Sequence, residues 1–215
     1  MRRLLVTLAV LALVAGASTS WAVDYWNGPP EDTWMRGEPG TTMQHWDFLD
    51  PGMLEPEIFD NPGMPTAELG GGWEWGEWPC PPELDPSGLV TGWHCTSLEG
   101  GTITLVIPNF PDPNFIKAIF IQITSSKAPS NVGLQGVMPP STSGTWNTGL
   151  PQIQWPPPAP FNGAWYTYNY GLWIRPNPDM ETIVIEVPEC TVIDQIVVDT
   201  ICSPEVTEML IQANR

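Results

Sequence analysis

Residues 115–124 read Phe-Ile-Lys-Ala-Ile-Phe-Ile-Gln-Ile-Thr, and this stretch decides the fold class. Isoleucine recurs at every second position from 119 to 123, and alternate residues of a β-strand point to the same face. The same period of two occurs in 103–107 and 183–187, each of which is followed by a proline. These stretches predict strands that supply the inner faces of a two-sheet core. The inward residues are Ile103, Leu105, Ile107, Ile119, Ile121, Ile123, Ile183, Ile185 and Val187.

Runs of similar alternation recur along the chain, separated by clusters of proline, glycine and asparagine that end β-ladders. They predict about nine strands in an all-β, antiparallel β-sandwich of jelly-roll type, with an orthogonal barrel as the competing closure. The predicted strands are 43–48, 72–78, 89–95, 102–107, 115–124, 132–138, 164–174, 182–187 and 192–200.

The first 22 residues have the pattern of a secretory signal peptide. Met1-Arg2-Arg3 is a positive start, residues 4–15 are apolar, and Ser20-Trp21-Ala22 is a small-x-small cleavage site. An apolar run of about 12 residues is too short to cross a hydrocarbon core of roughly 30 Å. We therefore expect a secreted or periplasmic protein with no membrane insertion after removal of residues 1–22.

Two further segments flank the predicted sandwich, which spans residues 43–202. Residues 23–42 have no period and are expected to form an irregular N-terminal arm lying over the domain. Residues 203–215 are expected to form a short C-terminal helix, with Ser203 as the N-cap and Pro204 at the first helical position.

The charge of the chain bears on its partners. Asp and Glu total 24 against 7 Lys and Arg, a formal net charge of −17. Such a charge repels the phosphates of nucleic acids and anionic lipid surfaces, and it keeps a protein soluble. We expect no nucleic-acid partner and a monomeric chain.

The four cysteines, Cys80, Cys95, Cys190 and Cys202, allow three disulfide connectivities. Cys190 and Cys202 flank a predicted strand about 30 Å long, too far apart for a disulfide unless the strand bends. We expect a Cys80–Cys95 disulfide at the base of a proline-rich loop. The remaining two cysteines are then free, or the first two instead bond to them.

Residues 164–173 form an aromatic strand that is a candidate ligand platform. Alternation places Tyr166, Tyr168, Tyr170 and Leu172 on one face and the remaining side chains on the other. Aromatic rings stack on the apolar C–H face of sugars, and side-chain amides and hydroxyls bond to sugar hydroxyls. The alternative is cross-strand aromatic packing. The candidate ligand-binding residues are Trp165, Thr167, Tyr168, Asn169 and Trp173.

A second aromatic group lies on either side of the predicted disulfide loop. Trp73, Trp75 and Trp78 precede the loop and Trp93 follows it, with Glu74 and Glu77 interleaved. Trp75 and Trp93 are the candidate ligand-binding residues here. The alternative is a tryptophan-rich hairpin that packs on the sandwich.

No motif for catalysis stands out, and no catalytic residue is assigned. A glycosidase would need two carboxyl groups roughly 5 to 10 Å apart, a separation that a sequence does not supply. His45 and His94 lack a zinc-binding spacing, and no cofactor is implied. Loop carboxylates could hold a structural calcium ion, although no Asp-x-Asp-x-Asp loop is present. The carboxylates considered for a glycosidase pair are Asp47, Asp50, Glu55, Glu57, Glu74 and Glu77, and those considered for calcium are Asp50, Asp60 and Asp112.

Several segments carry a family resemblance. They are the opening stretch 35–48, Ile107-Pro108-Asn109, the strand 117–124, the stretch 174–178 and the closing stretch 193–202. Together they resemble a group of exported bacterial β-sandwich proteins of unassigned function that often carry a dockerin or a PEP-CTERM sorting tail. The closing stretch is also similar to the last strands of galactose-binding-like jelly rolls. The resemblance implies export and fold, whereas residues 203–215 show no apolar span or basic cluster of such a tail.

Composition, pattern and resemblance together favour a secreted, non-catalytic binding or structural module. Carbohydrate is the preferred ligand, so an extracellular polysaccharide is the expected partner. One alternative is a polysaccharide hydrolase with paired carboxylates. The other is a structural cell-surface or matrix protein without a small ligand. Exposed indole rings would favour binding, and buried ones a structural role.

Overall fold

A computed structural model describes residues 34–48, 51, 54–77, 91–110, 112, 114–137, 142–146, 153–155 and 165–203. These residues form thirteen β-strands, and no helix occurs among them. The strands are β1 Thr41–Asp47, β2 Glu57–Phe59, β3 Thr66–Gly70, β4 Trp73–Glu77, β5 Thr91–Cys95, β6 Gly101–Pro108, β7 Ile116–Ser125, β8 Asn131–Gln135, β9 Thr142–Trp146, β10 Ile153–Trp155, β11 Trp165–Arg175, β12 Met180–Val187 and β13 Ile193–Ser203.

The strands form two larger sheets and one hairpin, with antiparallel pairing throughout. The large sheet has the order β10-β11-β7-β13-β1-β2, and β9 also pairs with β11. The small sheet has the order β3-β6-β12-β8, and β4 pairs with β5 in the hairpin. The long central strands β7 and β13 are buried along most of their length, as expected for strands covered on both faces.

The core lies between the two larger sheets, and its residues confirm the predicted inner faces. Ile103, Leu105 and Ile107 of β6 pack with Ile183 and Ile185 of β12 on the small-sheet side, and all five are fully buried. The alternate isoleucines of β7 face them from the large sheet. An apolar layer between two antiparallel sheets is the arrangement of a β-sandwich, so the all-β prediction is confirmed.

The structure differs from the prediction at the margins. The described residues contain thirteen strands rather than about nine, because the short strands β2, β3, β9 and β10 were not predicted. Strand β1 begins at Thr41, two residues inside the predicted arm, and β13 runs through Ser203, the predicted helix cap. The rest of the predicted helix, 204–215, and the predicted signal, 1–22, lie outside the described residues. No helix that could cross a membrane occurs in the described ranges.

The β4–β5 hairpin is attached to the sandwich through the turn before β6. Gly100 has a φ of +87°, which favours glycine, and a Cβ there would lie 2.3 Å from the carbonyl oxygen of Val187. This close approach brings the turn against the end of β12. Trp73 Nε1 donates a hydrogen bond of 3.0 Å to the carbonyl of Thr102 in β6. The hairpin is therefore held against one end of the small sheet.

Candidate functional site

The candidate ligand residues of β11 lie on two different faces of the large sheet. Tyr168 has the same parity as Leu172, which belongs to the core, and it is buried. Burial raises the pKa of Tyr168 to about 12, so its hydroxyl stays protonated. Thr167, Asn169 and Trp173 occupy the outer face, the side turned away from the small sheet. The five predicted residues therefore do not form one platform.

Two side-chain pairs cross from β11 to β7 on this outer face. Thr167 lies opposite Thr124, and their hydroxyl oxygens are 3.0 Å apart. Asn169 lies opposite Gln122, whose Nε2 donates to Asn169 Oδ1 at 3.2 Å. Thr167, Thr124 and Gln122 are buried, and Asn169 is half-buried. These hydroxyls and amides already bond one another, so they act as sheet packing in this structure.

The row continues onto β13 and β1. Gln195 Nε2 donates to Thr124 Oγ1 at 3.4 Å, and His45 Nε2 is 3.1 Å from Gln195 Oε1. His45 Nδ1 lies 3.8 Å from a carboxylate oxygen of the exposed Glu57 on β2. We call the row on β11, β7, β13 and β1 the outer polar band. It consists of Thr167, Asn169, Thr124, Gln122, Gln195 and His45.

The segment before β1 covers another part of the outer face. Trp34 is buried and packs with Ala118 and Phe120 of β7, with half-buried Trp173 at the edge of the same cluster. Trp34 therefore covers this part of the outer face. It also gives Trp173 a packing partner, as the alternative reading of the aromatic strand expects.

Trp165 lies at the start of β11, where its backbone pairs with Trp155 of β10. Its side chain lies outside the described residues.

The second predicted aromatic group lies on the β4–β5 hairpin. Trp75 and Trp93 are directly opposite each other, with ring centroids 6.0 Å apart in an edge-to-face arrangement. Both side chains are half-buried, and Trp93 packs partly on the core. On the other face of the hairpin, Glu74 is exposed and His94 is buried, with His94 Nδ1 donating to the Gly92 carbonyl at 3.0 Å. The two indole rings therefore pack on each other, and Trp93 also contacts the core.

The predicted Cys80–Cys95 disulfide is wrong in this structure. Cys95 is a free, fully buried cysteine, and its Sγ lies 3.9 Å from the carbonyl oxygen of Gly71 and 3.8 Å from that of Ser97. The Cys95 backbone pairs with the turn before β13, because its carbonyl accepts from Cys190 N at 3.0 Å. Cys95 is thus paired by its backbone and buried in the core cluster, with its thiol free. Cys80 lies outside the described residues, and Cys202 is also free.

Among the described residues, the two carboxyl groups with raised pKa values do not converge on one cleft. Burial raises the pKa of Asp199 on the outer face of the large sheet, and the adjacent Arg36 partly offsets this rise. Burial likewise raises the pKa of Glu181, which faces the core from β12, against the opposing effect of Lys117. In the same ranges no group of three or more His, Cys, Asp or Glu side chains could hold a metal ion.

A shallow cleft lies where the turn before β1 meets the loops after β2 and β6. Its volume is about 420 Å³, and its lining includes Glu38, Asp60, Asn61 and Phe110. Phe110 is 51 % exposed, which is unusual for a phenylalanine. The two polar atoms of the Asn61 carboxamide have no hydrogen-bond partner within the described part of the chain. Asp60 adopts a left-handed φ of +53°, which aspartate tolerates in tight turns.

The sequence did not predict this cleft, nor did it predict the buried contact between Lys117 and Glu181. Lys117 lies in a predicted strand and Glu181 directly precedes one, and each has the inward parity of its strand. The parity was visible in the alternation 117, 119, 121, 123 on β7 and 181, 183, 185, 187 on β12. A charged residue at such a position predicts a buried charge that needs a partner. No comparable signal marked the cleft, which three separate loops form.

Comparison of the chain with models of protein families, with curated proteins and with solved structures finds no match.

Proposed function

We propose that this protein is a secreted, non-catalytic module of jelly-roll type that binds carbohydrate. The pattern of residues 1–22, the resemblance to exported bacterial proteins and the acidic composition support export. The predicted terminal helix and the monomeric state belong to the same proposal. An extracellular polysaccharide is the proposed partner.

The cleft beside Phe110 is the observation that carries the proposal. A volume of about 420 Å³ lies within the usual range for small-molecule sites, and the cleft is shallow, as a polymer requires. The exposed ring of Phe110 offers an apolar surface for the C–H face of a sugar ring. The carboxylates of Glu38 and Asp60 line the cleft and accept hydrogen bonds from hydroxyl groups.

Affinity electrophoresis of the processed protein through gels containing single polysaccharides tests this proposal. The wild-type protein is expected to be retarded by at least one polysaccharide, and Phe110→Ala to lose about tenfold in affinity because it loses the stacking surface. Leu98→Ala is the matched control, since Leu98 is 84 % exposed, lies in a turn and does not line the cleft. Its retardation should equal that of the wild type.

A Trp75→Ala variant separates the cleft from the hairpin. If this variant loses retardation while Phe110→Ala keeps it, the sugar site lies at the Trp75–Trp93 pair and the cleft assignment is wrong. Wild-type protein that migrates unretarded through a broad polysaccharide panel would refute carbohydrate binding.

A structural surface or matrix module is the second candidate. The burial of Thr167, Tyr168 and Trp34 favours it, because these side chains serve packing in the described residues. This candidate predicts that wild-type protein shows no retardation but associates with isolated cell envelopes or matrix.

A further inference from the structure

Three polar side chains meet inside the sandwich, between the two sheets. Lys117 Nζ lies 2.6 Å from Glu181 Oε1. Lys117 Nζ also contacts Asn109 Oδ1, and Asn109 Nδ2 contacts Glu181 Oε2. Each of the three groups therefore touches the other two. Lys117 is fully buried, and Asn109 and Glu181 are nearly so.

The surrounding backbone holds the Asn109 carboxamide in one orientation. Asn109 Nδ2 donates to the Pro178 carbonyl at 3.0 Å, and the Asn109 backbone N donates to the Asp179 carbonyl at 2.9 Å. With Nδ2 fixed in this way, Oδ1 points at Lys117 Nζ, which places the amine beside the carboxamide carbon Cγ. A nucleophile, an acyl group and a carboxyl group thus stand in fixed mutual positions.

Apolar side chains border the cluster along the elements that carry it, and the Cys202 thiol of β13 lies opposite Lys117. Each cluster member has a fully buried isoleucine two residues away in the chain that faces the same core. These are Ile107 for Asn109, Ile119 for Lys117 and Ile183 for Glu181. In such surroundings the charged forms of an amine and a carboxylate are disfavoured. Transfer of one proton from Lys117 to Glu181 neutralises both groups. A desolvated neutral lysine amine is a competent nucleophile.

We propose that Lys117 Nζ and Asn109 Cγ become joined by an intramolecular amide bond, with Glu181 as the acid–base group that promotes its formation. The reaction needs no cofactor or oxidant, because an amide is exchanged for an amide. Proximity replaces the activation that a free amide would require.

Glu181 Oε1 takes one proton from the Lys117 ammonium, and the neutral amine attacks Asn109 Cγ. The Nζ–Cγ bond forms, a second Nζ proton reaches Nδ2 through the carboxyl group, and the Cγ–Nδ2 bond breaks. Ammonia leaves, and it takes up the remaining transferred proton as it departs. Glu181 is regenerated as it began, and one Nζ–H remains in the new amide.

The electrostatics of Glu181 agree with this role. Burial raises its pKa from the ordinary value, and the neighbouring Lys117 and Asn109 oppose that rise. A carboxyl group whose pKa is raised holds a proton more readily at neutral pH, as a general acid requires.

The bond would join the two layers of the sandwich. Asn109 directly follows β6 of the small sheet, whereas Lys117 belongs to β7 at the centre of the large sheet. The structure otherwise connects these layers at this end by non-covalent packing and by the chain between the two strands. An added covalent link would resist separation of the sheets when residues 110–116 are cut.

Intact mass spectrometry of the full expressed chain, denatured and reduced, tests the proposal. The wild-type mass should be lower than that calculated for its observed N-terminus by one ammonia molecule. Glu181→Gln and Lys117→Arg should have their full calculated masses, because one lacks the carboxyl group and the other lacks the amine. Lys127→Arg is the control, since Lys127 Nζ bonds instead to the Glu189 carbonyl at 2.9 Å. It should still lose one ammonia.

Asn109→Asp gives a second signature that does not depend on a destabilised variant. Its acyl group can still be attacked, but the leaving group is water, so its mass should be lower by one water molecule. For localisation, the reduced wild-type protein is cleaved before Asp112. The fragments on either side of that residue should remain joined.

A folded wild-type protein with its full calculated mass would overturn the proposal. So would an ammonia loss that maps elsewhere, or one that persists in Glu181→Gln. Circular dichroism on each variant establishes that it retains the strand content of the wild type before its mass is interpreted.

Discussion

Arg36 and Asp199 form a two-point ion pair on the outer face of the large sheet. Arg36 Nε lies 2.5 Å from Asp199 Oδ1, and Arg36 Nη2 lies 2.6 Å from Asp199 Oδ2. The Asp199 side chain is fully buried in β13, whereas that of Arg36 is 21 % exposed in the segment before β1. This pair and the neighbouring Trp34 attach the segment to the sheet.

Arg36→Ala should destabilise the fold in a pH-dependent way. Breaking a buried ion pair leaves an uncompensated charge, at a cost of about 3 kcal/mol at neutral pH. Burial already raises the folded-state pKa of Asp199, so the stability that this group contributes is present at low pH and is lost as the pH rises through that pKa. Without Arg36 the folded pKa rises further and the loss deepens. Urea unfolding at about pH 4 and about pH 7 should show the larger penalty at the higher pH.

Arg175→Ala is the matched control for this substitution, because Arg175 is exposed at the end of β11. Its effect on the free energy of unfolding should stay within about 0.5 kcal/mol. A penalty for Arg36→Ala that is equal at both pH values would contradict a role for the Asp199 charge.

Thr167→Val should lower stability without affecting polysaccharide retention. The substitution preserves the shape of the side chain but removes a buried hydroxyl that bonds Thr124, at a cost of about 1 to 2 kcal/mol. Thr145→Val, at an exposed position of β9, should change stability by less than about 0.5 kcal/mol. Thermal unfolding together with affinity electrophoresis measures both properties. A Thr167→Val protein of wild-type stability that no longer binds sugar would restore Thr167 as a ligand residue.

The cysteines should divide into two classes in a thiol-counting experiment. Burial raises the pKa of the Cys95 and Cys202 thiols, so little thiolate forms at neutral pH and alkylation of the native protein should be slow. In denaturant without reductant, these two thiols should react. We expect Cys190 to be in a disulfide, which leaves Cys80 as its partner. Cys190 and Cys80 should therefore react only after reduction. Reaction of all four cysteines without reductant would rule out a disulfide.

Three of the predicted strands have a strong apolar alternation that the missed strands show weakly or not at all. Apolar residues alternate in 103–107, 119–123 and 183–187 because one face of each strand packs in the core. The sequence of each strand therefore indicates which of its residues are buried. Strands β2 and β10 have only three residues each. Strand β3 is partly exposed and β9 largely exposed, and their partners are β6 and β11, far along the chain. Pairing of such edge segments depends on distant partners rather than on local pattern.

The candidate sites follow the same division. The alternation correctly placed Tyr168 on the opposite face of β11 from Thr167 and Asn169. It did not indicate that Thr167 and Tyr168 would be buried. The cleft at Phe110 and the contact of Lys117 with Asn109 each depend on how loops and sheets meet. Both relationships are tertiary, and a one-dimensional pattern carries no distance between separate strands.

Strands β1 and β13 are antiparallel neighbours, with Thr41 opposite Ile201. The start of β1 and the end of β13 therefore lie side by side at the same end of the large sheet. A force applied to the start of β1 and the end of β13 would separate these two strands from that end. The hydrogen bonds between them would break one after another rather than all at once. The same proximity suits the unit for insertion into a surface loop of a host protein, because such a graft needs entry and exit points that are close together.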